Sequence, residues 1–247
     1  MKEKKPKKER IDSLLVERGL VASRQKAQAL IMAGKVLVAG NMVDKPGKEV
    51  DPGADIALKE ELPFVGRGGL KLSGFLDQIG LDVAGMIAMD VGASTGGFTD
   101  CLLQRGAKKV YAIDVGKGLI DSKLRQDERV VLLEEKNIRY LDPDEVGGKV
   151  GLIVIDVSFI SLEKVLPKVR EFLDENGIVL ALIKPQFEVG KGQVGKGGIV
   201  KDPALHLEVV DRIKAFSEAS GYKVMSTGDS QITGAKGNKE FWIYLMN

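Results

Sequence analysis

The sequence predicts an α/β protein in which a mostly parallel β-sheet carries helices on both faces, preceded by a smaller α+β unit. Three observations predict this fold class. From Ile87 onward, short apolar runs rich in β-branched residues alternate with helical patterns, as in a doubly wound sheet. Several of these runs end directly before a polar or glycine-rich turn. Residues 10–58 instead combine two helical patterns with short alternating segments, which indicates a separate unit.

The composition is that of a globular protein with two modest domains. The chain has 247 residues, of which 44% are hydrophobic and 29% charged, so each domain can bury its own core. No stretch approaches the roughly 18 apolar residues of a spanning helix, and we expect a cytoplasmic protein that does not bind membranes. With one cysteine, Cys101, and one histidine, His206, neither a disulfide nor a metal site is expected.

Residues 1–9 form a basic arm. The first ten residues contain six Lys or Arg and only two Glu. Such an arm indicates a polyanionic partner. A disordered, solubilising tail has the same composition, and the sequence leaves both interpretations open.

Residues 10–58 are predicted to form a compact unit. The apolar spacing predicts a helix over Ile11–Glu17, a turn at Gly19 and a second helix capped by Ser23,. Two short strands, residues 35–38 and 42–43, are joined by Ala-Gly-Asn as a hairpin turn,. The unit is therefore α+β.

The motifs of this unit resemble those of the S4 RNA-binding domain. They are Arg10-Ile-Asp-x-x-Leu, Ser23-Arg-x-x-Ala and Ile31-x-x-Gly-x-Val, followed by Gly40. The resemblance implies that basic groups on and near the second helix contact RNA phosphates, because folded RNA is recognised mainly by shape and backbone. A solvated helix face is the alternative for any single residue. The candidate RNA-binding residues here are Arg10, Arg18, Arg24, Lys26 and Lys35.

A linker is predicted at residues 59–63, where turn and charge signals show no periodicity,. The second domain then covers residues 64–247. Its first helix is predicted over Leu70–Ile79, after a glycine-rich stretch. Lys71 would lie in the first turn, where a cation opposes the helix dipole, and this is a weak indication of function.

The most informative stretch is residues 87–100, Ile-Ala-Met-Asp-Val-Gly-Ala-Ser-Thr-Gly-Gly-Phe-Thr-Asp. It predicts a strand, a glycine loop and a helix, an arrangement that binds ligands at the carboxyl end of a sheet. The glycine spacing fits neither the dinucleotide fingerprint nor a P-loop. Asp90 before the turn suits a ligand with a cationic portion, so the loop looks like the first motif of an S-adenosylmethionine methyltransferase. A plain βα turn remains the alternative.

Further strands follow in order. A carboxylate at the tip of the second strand, Asp114, can accept both hydroxyls of a ribose. Helices are predicted over 162–173 and 205–220. The remaining predicted strands cover residues 110–114, 130–133, 152–156, 177–183, 223–227 and 240–245.

The second domain resembles the FtsJ-like ribose 2′-O-methyltransferases. This resemblance rests on the glycine loop, Asp156, the Lys184-Pro-Gln-Phe-Glu motif and Glu240. The whole chain, with its S4 domain first, resembles the TlyA family of ribosomal RNA cytidine 2′-O-methyltransferases, some of which are labelled haemolysins. The resemblance implies a Rossmann-like methyltransferase domain behind a small S4 domain, with S-adenosylmethionine as cofactor.

The resemblance also implies a catalytic Lys-Asp-Lys-Glu tetrad at Lys71, Asp156, Lys184 and Glu240. A ribose hydroxyl is a poor nucleophile, so the enzyme must align it with the methyl group and help to remove its proton. A lysine can assist if a neighbouring positive charge disfavours its protonated form. We expect Lys184 to be the base or orienting group, Asp156 and Glu240 to fix it, and Lys71 to tune the charge. Separate structural roles are the alternative for each residue.

The cofactor residues follow from the same motifs. A glycine-rich segment, residues 190–198, contains Lys191 and Gln193 and is predicted to be a loop that closes on RNA,, with an ordinary crossover loop as the alternative. The candidate cofactor-binding residues are Asp90, Gly92, Ser94, Gly96, Gly97, Asp114 and Asn137.

The sequence therefore predicts 2′-O-methylation of a cytidine in 23S ribosomal RNA, with 16S ribosomal RNA as a second candidate substrate and with the RNA in assembled subunits. Neither a metal nor a covalent intermediate is required. One alternative is a non-catalytic RNA-binding factor in ribosome assembly that retains the fold. The other, which the haemolysin label suggests, is a membrane-lytic protein, and the lack of an apolar spanning segment argues against it.

Overall fold

The structure, a computed structural model, describes residues 8–32, 34–58, 63–190 and 192–247. It divides into two compact units, Met1–Glu61 and Leu62–Asn247. Three sequence predictions fall outside the described residues. They are most of the basic arm (1–7), most of the linker (59–62) and the RNA contact at Lys191.

The N-terminal unit packs two helices against short strands. Helices α1 (Ile11–Glu17) and α2 (Arg24–Met32) confirm the two predicted helices, and the Ser23 hydroxyl accepts a hydrogen bond from the backbone N–H of Lys26 at 3.2 Å. The strands are β1 (Glu9–Arg10), β2 (Val36–Val38), β3 (Asn41–Val43), β4 (Glu49–Val50) and β5 (Ile56–Leu58). The predicted hairpin is present, and a third strand joins its sheet in the order β3-β2-β5, while β1 pairs with β4.

The C-terminal unit contains a seven-stranded sheet. Its strands are β6 (Ile87–Val91), β7 (Lys109–Ile113), β8 (Val130–Leu133), β9 (Val150–Ile155), β10 (Leu173–Ile183), β11 (Lys223–Asp229) and β12 (Phe241–Met246). They are arranged in the order β11-β12-β10-β9-β6-β7-β8. Neighbouring strands from β10 to β8 are parallel, and β12 runs antiparallel to both β10 and β11. The carboxyl ends of the parallel strands therefore meet at one edge.

Helices cover both faces of this sheet. Two differ from the prediction. The first begins at Arg67, three residues early, and the expected helix over 162–173 is divided into two 3₁₀ turns around a single short α-helix. Pro167 explains the division, because its ring conflicts with the carbonyl four residues before it. The helices are α3 (Arg67–Ile79), α4 (Gly97–Gln104), α5 (Ser122–Arg125), α6 (Leu166–Val169), α7 (Pro185–Glu188) and α8 (Pro203–Ala219).

Alternate residues of the central strands face two separate apolar layers. Ala88 and Leu152 belong to the layer that contains α3 and α4, whereas Met89 and Ile153 belong to the other. In the first layer the buried ring of Trp242 stacks on Phe75, with centroids 4.8 Å apart, and on Phe98, at 5.7 Å. This aromatic stack joins β12 to α3 and to the first turn of α4.

Candidate active site

The glycine loop lies between β6 and α4. Gly92 has φ +88°, and a Cβ there would lie 2.5 Å from the backbone oxygen of Asp156. Only glycine fits such a close approach in the left-handed region. Gly96 and Gly97 face inward, where a Cβ would meet the Leu124 side chain and the backbone of Gly69 respectively. The loop glycines therefore bring the chain against its neighbours.

Asp90 lies beneath this loop and is fully buried. Its Oδ2 accepts hydrogen bonds from the backbone N–H of Thr99 at 2.9 Å and from the Thr99 hydroxyl at 2.7 Å, which fixes the start of α4. Oδ1 has no hydrogen-bond partner among the described residues. Burial raises the pKa of Asp90 to about 7, the nearby carboxylates of Asp156 and Asp114 add to the rise, and the Thr99 hydrogen bonds oppose it.

Asp114 follows β7 and organises two loops. Its oxygens accept backbone N–H groups from Ser94 and Gly116, each at 2.7 Å. Ser94 adopts φ +51°, a conformation that costs a non-glycine residue free energy, and the bond to Asp114 holds it there. A carboxylate has about four lone pairs, so Asp114 can still accept hydroxyl groups from a ligand.

A cavity of about 700 Å³ opens at this edge of the sheet. Four of the predicted cofactor residues line it, namely Gly92, Ser94, Asp114 and Asn137. Apolar side chains line it too, including Val115, Leu119 and Ile138. Oxygen acceptors beside apolar surface suit a ligand with ribose hydroxyls and a flat base, so the lining fits S-adenosylmethionine. Asp90, Gly96 and Gly97 are not part of the lining and support the loop from behind.

Lys184 forms an ion pair with Asp156, which lines the cavity. Lys184 follows β10 and Asp156 follows β9, its parallel neighbour, so the topology brings the two together. The Lys184 ammonium also donates a hydrogen bond to the Ser158 hydroxyl at 3.3 Å. Lys184 is 8% exposed, and the Asp156 side chain, at 22%, is open to the cavity.

Lys71 and Glu240 form a second ion pair, with Nζ 2.5 Å from Oε2 and side chains that are 10% and 3% exposed. Glu240 thus pairs with Lys71, and the expectation that it fixes Lys184 is not met. The reason is geometric. Phe75, one turn after Lys71 on α3, stacks on Trp242, two residues after Glu240, so the two elements face each other in register. Because α3 begins at Arg67, Lys71 also lies beyond the first turn, and the expected conflict with the helix dipole disappears.

The sequence predictions missed several cavity residues, among them three whose side chains could contact a substrate. Ser158 accepts the Lys184 bond. Phe159 is 90% exposed with φ +62°, and its ring lies 4.9 Å from that of Phe187. Arg139 lines the cavity beside the exposed Tyr140. One sequence signal for Phe159 was available: it is an aromatic residue in the polar loop that follows the acid at the end of a strand.

In the N-terminal unit, three of the predicted RNA-contacting residues are arginines whose side chains are bound by one carboxylate or by backbone carbonyl groups. Buried Asp12 accepts hydrogen bonds from Arg10 Nε and Nη2, Arg24 Nε and Gln28 Nε2 at 2.9–3.0 Å. The Arg10 bonds hold the pKa of Asp12 well below its usual range. Both arginine side chains remain about half exposed.

The other predicted RNA contacts are placed differently. Arg18 donates to the backbone oxygens of Ala54, at 2.9 Å, and Pro52. Lys26 is exposed near the start of α2, and Lys35 is half-buried just before β2.

Known proteins share this architecture. Residues 64–247 match the family model for the FtsJ-like methyltransferases, and residues 9–56 match the S4 domain. The chain is 49% identical to YqxC of Bacillus subtilis over 241 residues, 97% of this chain and 86% of that protein. It is 44% identical to the 16S/23S rRNA (cytidine-2′-O)-methyltransferase TlyA of Mycobacterium tuberculosis over 96% of this chain and 89% of that protein. A solved structure from Streptococcus thermophilus has a TM-score of 0.75 and 45% identity, covering 99% and 90% of the two chains.

Within residues 8–32, 34–58, 63–190 and 192–247, no helix combines the length and the apolar content of a membrane span.

Proposed function

Because the chain belongs to the FtsJ-like methyltransferase family, we propose that it transfers a methyl group from S-adenosylmethionine to the 2′-hydroxyl of a cytidine in ribosomal RNA. The observation that carries the proposal is the ion pair between Lys184 and Asp156, because Asp156 lines the cavity that the glycine loop borders. The 44% identical relative is named for this reaction on both 16S and 23S RNA.

The cofactor supplies a methyl group that is already electrophilic on its sulfonium. What remains for the protein is to hold the ribose hydroxyl in line and to manage its proton. Lys184 Nζ is held by Asp156 and Ser158. In its unprotonated form the Lys184 amine accepts the proton of the 2′-hydroxyl as the methyl group bonds to the 2′-oxygen. Asp156, which is open to the cavity, balances the charge of the ammonium that results.

Lys71 and Glu240 act in a different way in this proposal. Their mutual ion pair is almost fully buried, so Glu240 holds the Lys71 ammonium in one position. A fixed positive charge favours the developing alkoxide. Each lysine of the tetrad is thus paired with a different carboxylate, and the four residues act as two ion pairs.

We further propose that Asp114 binds the cofactor ribose, that Asn137 lies beside its adenine, and that Gly92 and Ser94 border its amino-acid portion. Asp90, Gly96 and Gly97 support the glycine loop from behind. In the target site, the exposed Phe159 ring offers a surface for the cytosine base, because base–aromatic stacking does not depend on sequence.

The N-terminal unit gives the enzyme its RNA target in this proposal. Arg10 and Arg24 keep N–H groups beyond those bonded to Asp12, and these can bind backbone phosphates. A small rigid basic module recognises folded RNA by shape. We therefore propose that the substrate is RNA in assembled subunits and that the protein acts in the cytoplasm, where those subunits are.

The test is transfer of labelled methyl from S-adenosylmethionine to separated, unmodified small and large subunits, followed by mapping of 2′-O-methyl positions. We expect label at a cytidine on one or both subunits. Lys184→Ala should lower transfer at least roughly 100-fold and keep RNA and cofactor binding. Lys108→Ala, which removes an exposed lysine before β7, should leave transfer unchanged. No label from the wild-type protein on either subunit would favour a binding-only assembly factor.

A further inference from the structure

Two aromatic rings are exposed among the described residues. Of the eight Phe, four Tyr and one Trp, all within the described residues, only Phe159 and Tyr140 are exposed, at 90% and 76%. Phe159 lines the cavity, and Tyr140 directly follows Arg139, which also lines it. An exposed ring is costly to leave in water, and one ring in the cavity lining with another next to a lining residue indicates a partner with flat faces.

The Tyr140 ring is held in place by its neighbour. The guanidinium carbon of Arg139 lies 5.0 Å from the ring centroid and covers one face. Asn137 Oδ1 accepts hydrogen bonds from the backbone N–H of Arg139 at 3.1 Å and from its Nε at 3.3 Å, which fixes the arginine. Tyr140 therefore keeps its other face open to solvent.

Two unpaired cations belong to the cavity lining near this segment. Arg139 and Lys164 are exposed and line the cavity, and neither has a carboxylate partner among the residues that the structure describes. Lys136, by contrast, is paired with Glu145. An aromatic ring beside unpaired cations is the combination that binds unstacked nucleotides, by stacking and by phosphate contact.

We infer that Tyr140 and Arg139 form a second nucleotide site, which holds an unstacked base next to the target cytidine. The base stacks on the open face of Tyr140, and Arg139 and Lys164 contact the flanking phosphates. This inference rests on the proposed function. It also narrows the substrate class, because two neighbouring unstacked nucleotides require a loop, a bulge or an opened helix end.

The experiment measures binding, so it does not depend on turnover. The dissociation constant for the unmodified ribosomal subunit is measured for the full chain with S-adenosylhomocysteine present, at several salt concentrations. Tyr140→Ala should weaken RNA binding about ten-fold and leave its salt dependence unchanged. Tyr140→Phe should bind like the wild type. Arg139→Gln should also weaken binding but reduce the slope of affinity against salt by roughly one ion. Leu207→Ala, which truncates an exposed residue of α8, should have no effect.

Two results would overturn the inference. Tyr140→Ala binding as tightly as the wild type would mean that no base stacks there. An equal loss of S-adenosylhomocysteine affinity, measured by calorimetry, would assign the ring to the cofactor instead. Methyl transfer by the wild-type protein, assayed in parallel, tests the proposed function separately, because a failure of transfer leaves the binding comparison intact.

Discussion

The carboxylate of Glu240 accepts a hydrogen bond from Lys71 at 2.5 Å, across 169 positions of the sequence. Lys71 comes from α3, and Glu240 lies just before β12, the strand that runs antiparallel to its neighbours. The pair therefore joins the beginning of the methyltransferase domain to its end. Its geometry depends on the turn before β12, where Gly234 packs directly against the Glu240 carboxylate.

Gly234→Ala is expected to impair catalysis more than folding. A Cβ at position 234 would overlap Glu240 Oε1 and displace it from Lys71, and a shift of about 1 Å near a reacting centre can cost roughly 100-fold in rate. Steady-state methyl transfer and thermal unfolding measure the two effects. Gly151→Ala is the matched control, because its Cβ would make only an ordinary contact at 3.5 Å. Equal rates for both variants would contradict the prediction.

Asp90→Asn should change how stability depends on pH. Burial raises the pKa of Asp90 to about 7 from 3.8. A raised carboxyl pKa means that ionisation costs more in the folded state, so this group's contribution to stability is present below pH 4 and is lost as pH rises towards 7. The asparagine variant, which cannot ionise, should therefore gain stability relative to the wild type across that interval.

Urea unfolding followed by circular dichroism at several pH values measures this difference. Other carboxylates affect both proteins alike, so the difference between the two curves isolates Asp90. Parallel curves from pH 4 to pH 7 would show that Asp90 does not titrate there.

Asp12→Asn should weaken RNA binding through the two arginines that it holds. A neutral amide cannot bind two guanidinium groups as a carboxylate does, so Arg10 and Arg24 lose their fixed positions. Because the Arg10 bonds hold the pKa of Asp12 well below its usual range, the loss should be the same at pH 6 and pH 8. Filter binding to unmodified subunits is the measurement. Asp44→Asn, at an exposed carboxylate of the same unit, should bind normally.

Substitutions of Phe159 separate its ring from its backbone. Both Phe159→Ala and Phe159→Gly remove the stacking surface, and each should raise the KM for RNA about ten-fold. The φ of +62° favours glycine over alanine, so the glycine variant should be the more stable by up to about 1 kcal/mol. Kinetics and thermal unfolding on the same preparations test both parts. A wild-type KM in either variant would remove Phe159 from the RNA site.

Strand ends were the predictable part of this site. Asp156 and Lys184 follow buried apolar runs, and parallel neighbouring strands place such residues side by side. The glycine loop was equally predictable, because its turn lies between a strand pattern and a helix pattern. Local sequence determines these features, and the structure has the predicted strand and helix around the loop.

Features that depend on contacts distant in sequence were not predictable. Nothing near Glu240 indicates that its partner is Lys71, because the pairing follows from the packing of α3 against β12. The start of α3 at Arg67 was not predicted because Gly68 and Gly69 weaken the helix pattern. In the structure Gly68 packs against Phe98 of α4, and Gly69 packs against Phe64. The left-handed backbone at Phe159 has no local sequence signature, since aromatic residues rarely adopt it.

The aromatic residues of this protein are distributed unevenly between its two units. Trp242 is the only tryptophan, and residues 1–61 contain no Trp, Tyr or Phe. Intrinsic fluorescence therefore arises entirely from the methyltransferase domain, and the tryptophan emission comes from a ring held between Phe75 and Phe98. This emission therefore reports the unfolding of the C-terminal unit only, whereas far-ultraviolet circular dichroism reports the unfolding of both units. Any separation between the two curves would measure the stability of the N-terminal unit without an added label.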